Sequence, residues 1–227
     1  MSEIAARLEQ VRARIDRAAR RVGRNPADVT LVAVAKTFSA EFVAAAADAG
    51  ATDIGENRAQ ELKEKHALVG DRVTWHFVGH LQTNKVRLVV GAASLIHSVD
   101  RYGLGEAIAR RASALGITQE VLIEVNVAGE ATKQGVEPQR AVALAREVAR
   151  LDGLNVKGLM GMPPPTDDAE SVRPYFRDLA SLGAELSAAI DGATELSMGM
   201  SADFEVAIEE GSTLVRVGEA IFGPRGR

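Results

Sequence analysis

Ile4, Leu8, Val11, Ile15, Ala18 and Val22 recur at steps of three and four, the spacing of one helix face. The chain is therefore expected to open with an amphipathic helix ending near Gly23. Beyond it the pattern changes to short apolar runs separated by helical stretches. The runs are LVAVA, TDIG, WHFVG, LIHSV, VLIEVN, VKGLMG, ELSMG and LVRVG, eight in all. Several lack polar alternation, as parallel strands covered on both sides do. Helix punctuation marks the segments between them: Ser39 caps AEFVAAAADA and Gly50 stops it, and Asp100 caps RYGLGEAIARRASAL and Gly116 stops it. Pro138 opens a helix running to Gly153, and another covers residues 172–190 with Pro174 near its start.

Eight such units predict an α/β fold, a parallel sheet closed into a (β/α)8 TIM barrel with an extra N-terminal helix over residues 1–23 packed on it. Residues 1–227 read as a single domain, with no linker, and PPP at residues 163–165 as a loop. An open doubly wound sheet is the rival, disfavoured because no Gly-rich fingerprint follows the first strand.

Composition narrows the function classes. A net charge of −4 argues against a general nucleic-acid binder. The cluster Arg12, Arg14, Arg17, Arg20 and Arg21 is spread by helical spacing over a polar arc, which reads as a solvated face. There is no cysteine, hence no disulfide or thiolate metal site. The N-terminal MSEIAARLEQ lacks an apolar signal-peptide core, and no run is long enough to span a bilayer, so a cytoplasmic protein is expected.

In such a barrel, chemistry collects at the carboxyl ends of the strands. Lys36 ends the first apolar run. Alternation puts it on the face of Val32 and Val34, where a partly desolvated amine could attack an aldehyde. A snorkelling lysine is the bland alternative. The turns MGMS and VGEA follow the last two strands, and the Ser201 hydroxyl with N–H groups around Gly199, Gly218 and Glu219 could cradle a phosphate. An aldehyde ligand with a phosphate handle would need the lysine and the cradle on opposite sides of the mouth. Arg216 in LVRVG points inward while Val215 and Val217 face the helices, and a buried guanidinium must find an acceptor. That acceptor could be a carboxylate such as Glu124 or a ligand's ring nitrogen.

Taken together, LVAVAKT, IGENRAQE, WHFVGHLQTNK, IHSVD, VNVAGE, GLMGM and LSMGMSADFEVAIEEGSTLVRVGEAIFG resemble the pyridoxal phosphate homeostasis protein family, whose barrel is similar to the N-terminal domain of alanine racemase. The resemblance implies pyridoxal 5'-phosphate (PLP) as cofactor, a Schiff base on Lys36, phosphate binding by Ser201 and the backbone at Gly218, and Arg216 near the pyridine nitrogen. Asn57 of GEN matches a pocket position. With Met200 of the first turn and Glu219 of the second, the expected cofactor-binding set is Lys36, Asn57, Met200, Ser201, Arg216, Gly218 and Glu219. Phe38 departs from the family, where many relatives carry a polar residue.

The implied role is to buffer or deliver PLP to client enzymes, as a monomer and without turnover. The alternative is a PLP-dependent amino-acid racemase, which needs two bases. Neither tyrosine, Tyr102 or Tyr175, has a motif placing it over a cofactor, and no further domain supplying a second base is expected after Arg227. A sugar-phosphate isomerase or aldolase is a third reading. No zinc site is expected from His76 and His80, since no third ligand follows. His80 reads as a mouth residue, His76 as a satisfied core or helix-facing group, and His97 as structural, with a pocket role left open by its place near a strand end. Lys133 could guard the mouth, with a solvated loop lysine as the default. Met160, Met162, Met198 and Met200 read as packing groups.

Overall fold

The opening stripe folds as its spacing predicts. In the computed structural model, which describes residues 3–130 and 134–224, helix α1 spans Glu3–Arg21 and buries Ile4, Leu8, Val11, Ile15, Ala18 and Ala19. Val22 falls outside the helix and is exposed, and Gly23 at φ 73° ends it. The arginines correct the expectation of a purely solvated arc. Arg14 pairs with Glu205 at 2.9 Å and lies 4.4 Å over the ring of Phe204, and Arg21 pairs with Glu209. These partners belong to α8 (Phe204–Glu209), so the polar face of α1 straps the first helix to one of the last.

Eight strands form the barrel: β1 (Thr30–Val34), β2 (Asp53–Glu56), β3 (Thr74–Phe77), β4 (Leu95–Val99), β5 (Gln119–Val125), β6 (Leu154–Gly161), β7 (Glu195–Ser197) and β8 (Leu214–Val217). Each pairs in parallel with the next, and β1 pairs with β8 to close the ring. All eight apolar runs are therefore strands, as expected for segments covered on both faces.

The helices punctuate this ring with some adjustment at their ends. In α2 (Ala40–Asp48), Ser39 has the extended geometry of a cap but its hydroxyl makes no capping bond. The cap of α5 (Tyr102–Leu115) is Arg101 rather than Asp100, whose carboxylate accepts from Arg101 at 2.6 Å. Helix α6 (Pro138–Val148) starts at its proline and stops short of Gly153, and α7 (Arg173–Ala189) fills the expected segment. Helices α3 (Ala59–Val69), α4 (Val86–Val89) and α9 (Glu219–Phe222) complete the outer layer.

The main core lies between strands and helices. Inside the ring a small apolar plug consists of Val32, Leu95, Leu122, Met160 and Leu214. Alternation on β8 holds: Val215 and Val217 join the outer core, Leu214 the plug, and Arg216 is buried on the inner face. Gly55 keeps the interior open at β2, because a Cβ there would sit 3.0 Å from Val32 and 3.1 Å from Val34. Among the described residues no helix is long and apolar enough to cross a membrane.

If the α1 straps stabilise the fold, Arg14→Ala loses both the ion pair and the ring contact. It is expected to cost about 1 kcal/mol and lower Tm by roughly 2–4 °C in a thermal melt.

Candidate functional site

The turn after β1 carries Lys36. The next residue, Thr37, sits at φ 72°, the one non-glycine residue with positive φ among those described. For a β-branched residue this is strained, on the order of 1–3 kcal/mol, and persists only where neighbours over-determine it. Those neighbours come from IGENRAQELKEK. The Thr37 N–H donates to Glu61 Oε2 at 3.1 Å, and Lys65 Nζ donates to Glu61 Oε2 at 3.2 Å, to Glu56 Oε1 at 2.6 Å and to the Ala35 carbonyl at 3.0 Å. Both Glu56 and Lys65 are buried. Burial pushes the Glu56 carboxyl up, and Lys65 pulls it back. A buried ion cluster thus clamps the backbone on both sides of Lys36.

A cavity of about 460 Å³ opens at the carboxyl ends of the strands, and all seven residues singled out from the sequence line it: Lys36, Asn57, Met200, Ser201, Arg216, Gly218 and Glu219. The expected layout needs one correction. Because β1 pairs with β8, Lys36 and the Gly218 turn are neighbours on the rim rather than facing each other across the mouth. Their approach is close enough that a Cβ on Gly218 would sit 3.0 Å from the Val34 carbonyl oxygen. Ser201 Oγ faces the start of α9, accepting from the Ala220 N–H at 3.5 Å. Met200 lines the cavity, but its amide is already given to Asp203 Oδ1 at 2.6 Å.

Among the described residues, two that line the cavity keep buried polar atoms without a hydrogen-bond partner, Asn57 Oδ1 and Glu124 Oε2. Such atoms are expensive unless a ligand or water satisfies them. The Asn57 turn packs so tightly on its neighbour that a Cβ on Gly79 would fall 2.1 Å from the Asn57 carbonyl oxygen.

Arg216 finds acceptors, though not the ones anticipated. Its Nη1 donates to Ser197 Oγ at 2.6 Å and its Nη2 to the Gly161 carbonyl at 3.2 Å. Glu124 acts on it only as a nearby charge. Burial pushes Arg216 down to about 10 against the pull of Glu124 and Asp203. Burial, reinforced by Asp100 and opposed by Arg216, raises the Glu124 carboxyl to about 7.

His80 lines the mouth as expected, with Nδ1 3.9 Å from Asp100 Oδ2. His76 and His97 are buried and bonded to each other at 3.0 Å inside the barrel. Phe38 lines the cavity and packs on Phe42 and Phe222, ring centroids 5.3 and 5.2 Å away, giving the rim an aromatic wall. Met162 lines the cavity, Met160 belongs to the plug and Met198 to the outer core. Neither Tyr102 nor Tyr175 lines it. Lys133 lies outside the described residues. Among the described residues no cluster of three or more His, Cys, Asp or Glu could hold a metal. Sequence reasoning missed the Glu56–Lys65–Glu61 clamp, for which the only local signal was the i, i+4 spacing of Glu61 and Lys65.

The chain is similar to known proteins over nearly its whole length. Residues 6–226 match the family model for the alanine racemase N-terminal domain. The pyridoxal phosphate homeostasis protein of Aquifex aeolicus is 46% identical over 221 residues, covering 96% of this chain and 97% of that protein. A protein of unknown function from Bifidobacterium adolescentis superposes with a TM-score of 0.92 at 39% identity, covering 96% of this chain and 94% of the other. PipY of Synechococcus elongatus, solved with PLP bound, superposes with a TM-score of 0.83 at 33% identity, covering 97% of this chain and all (100%) of that one.

The raised Glu124 carboxyl makes a stability prediction. Its folded value of about 7 lies above its ordinary 4.5, so ionisation is penalised in the folded state only. The penalty is absent below the ordinary value, grows as pH rises through this window, and is complete above 7. Glu124→Gln, always neutral, is therefore expected to stabilise the unliganded protein at pH ~8 by up to about 3 kcal/mol and to leave it unchanged near pH ~4. Melts at the two pH values check this.

Proposed function

The chain belongs to the pyridoxal phosphate homeostasis protein family, and from that premise we propose that it binds PLP in the mouth cavity, holding and releasing it rather than turning over an amino acid. The observation that carries the reading is the convergence of an amine, a hydroxyl-bearing turn beside a helix start, and a buried guanidinium on one cavity of about 460 Å³. That volume suits a small cofactor. The partnerless Asn57 Oδ1 fits a site built for a polar guest. The PLP-bound Synechococcus relative supports the same ligand.

In this reading Lys36 Nζ is the nucleophile, joined to the cofactor aldehyde as a Schiff base with loss of water. The clamped Thr37 turn fixes where that amine sits. Ser201 and the N–H groups of Gly218 and Glu219 at the start of α9 receive the phosphate, where the first N–H groups of a helix have no intrahelical partner. Met200 contributes packing, since its amide is engaged. Asn57 lines the ring edge. Arg216 meets the pyridine nitrogen and, being a cation, opposes protonation there. Bound PLP supplies a reactive aldehyde and an electron-withdrawing ring, and Arg216 weakens the second property, which disfavours carbanion chemistry. The holder acts in the cytoplasm as a monomer that passes its cofactor to client PLP enzymes.

Racemase chemistry is the second reading, and Glu124 is the observation that favours it. Its carboxyl, raised to about 7 in the cavity wall, could serve as an acid–base group on the same cavity as Lys36.

Purified protein loaded with PLP is expected to show a visible absorption band that borohydride abolishes, leaving the cofactor's mass on the Lys36 peptide. Lys36→Ala should lose the band while retaining weak phosphate-dependent binding. A wild-type protein that stays colourless at saturating PLP refutes the reading. A chiral assay after prolonged incubation with each common L-amino acid is expected to show no D-enantiomer. Turnover abolished by Glu124→Gln would establish the racemase instead.

A further inference from the structure

The mouth cavity has a connection to the other end of the barrel. Asp53 opens β2 at the amino ends of the strands, where it lines a separate, shallow depression with Thr30, Leu31 and Thr52. Its Oδ1 lies 3.0 Å from His76 Nε2. His76 Nδ1 lies 3.0 Å from His97 Nε2, and His97 Nδ1 lies 2.8 Å from Ser197 Oγ. Ser197 Oγ in turn accepts from Arg216 Nη1 at 2.6 Å. Five side chains from β2, β3, β4, β7 and β8 thus make one line of hydrogen bonds from the base of the barrel to the cavity wall.

The polarity of this line is set from its carboxylate end. Arg216 has donors only, so Ser197 accepts from it, and the hydroxyl keeps both a proton and a second lone pair to offer His97 Nδ1. At the other end an ionised Asp53 can only accept, so His76 carries its proton on Nε2. A neutral His76 then presents a bare Nδ1, to which His97 donates from Nε2. With a bare Nδ1 on His76, donation runs from Arg216 through Ser197, His97 and His76 to Asp53, each ring carrying its proton on Nε2. The charge states agree. Burial, helped by His76 and Arg216, holds His97 well below its ordinary value. Burial would raise Asp53, yet the bonds from His76 and Thr52 keep it below the ordinary carboxylate range.

We propose that Asp53, His76 and His97, acting through Ser197, are positioning residues for Arg216, a one-way string that ties the cavity guanidinium to a carboxylate at the far end of the barrel. The string does something a direct ion pair would not. A carboxylate bonded to the guanidinium would quench its field in the cavity. A neutral hydroxyl acceptor, with the anion displaced along the string, anchors the group and leaves its charge available to a ligand. The inference rests on the reading that PLP meets Arg216 in the cavity, and the test separates the two.

The chain has four histidines, which makes 15N-histidine NMR tractable. In the unliganded wild type, His76 and His97 are each expected to carry a proton on Nε2 and a bare Nδ1. Asp53→Asn, nearly isosteric and remote from the cavity, removes the acceptor-only end, so the tautomer change should reach His97. It should also raise the PLP dissociation constant at least about fivefold, a modest coupling between sites. Ser197→Ala cuts the string beside Arg216. It should leave His76 in its wild-type tautomer and weaken PLP by a similar factor. An Nδ1-protonated ring in the wild type, a His97 signal untouched by Asp53→Asn, or wild-type affinity in both variants would overturn the proposal. Failure of the wild type to bind PLP at all would count against the functional reading alone, since the tautomers still decide the string.

Discussion

A guanidinium buried inside a closed ring of strands must be given acceptors, and much of this barrel's interior is arranged around that requirement. The apolar plug of Val32, Leu95, Leu122, Met160 and Leu214 fills only part of the space. The rest is polar, and its members satisfy one another: Arg216 on Ser197 and Gly161, Ser197 on His97, His97 on His76. Such a network is worth having only when nearly complete, because each orphaned group costs about 1–3 kcal/mol in a low-dielectric interior. The orphans that remain on the inner side, Asn57 Oδ1 and Glu124 Oε2, lie where a ligand can reach.

A second buried cluster works from outside the ring. Lys65 and Glu56 are shielded from water between α3 and the strands, and through Glu61 they hold Thr37 in a conformation that threonine disfavours. Buried ion pairs contribute little net stability over apolar packing. Their use here is geometric, since they determine the path of the backbone on either side of Lys36. The two clusters give the mouth an amine and a guanidinium that are both held from behind.

The strands were legible because a parallel strand covered on both faces leaves a short apolar run, and the alternation of eight such runs with helical segments decides against buried helix. Lys36, Ser201, Arg216, Gly218 and Glu219 were legible because strand alternation and barrel topology send strand-end residues to one mouth, whereas Asn57 came only through the family resemblance. Helix α3 was not, since AQELKEKHALV is dominated by charges and one of them, Lys65, is buried. A buried lysine is indistinguishable from a surface one until its partners are known. The histidines could be assigned neither an inward face nor a partner, because His76 and His97 meet Ser197 only through the register of the closed ring. The Gly218 turn adjoins Lys36 instead of facing it for a reason available beforehand: in a closed ring the first strand adjoins the last.

That adjacency governs when the mouth can exist. Lys36 leaves β1 and the Gly218 turn leaves β8, with Val32 in register with Arg216. On the ribosome, the segment bearing the amine emerges long before the segment bearing the guanidinium, and nothing joins them until the last strand zips against the first. Contacts of such long sequence separation form slowly and late. A guest molecule therefore cannot template the growing polypeptide, and capture must wait for a finished ring.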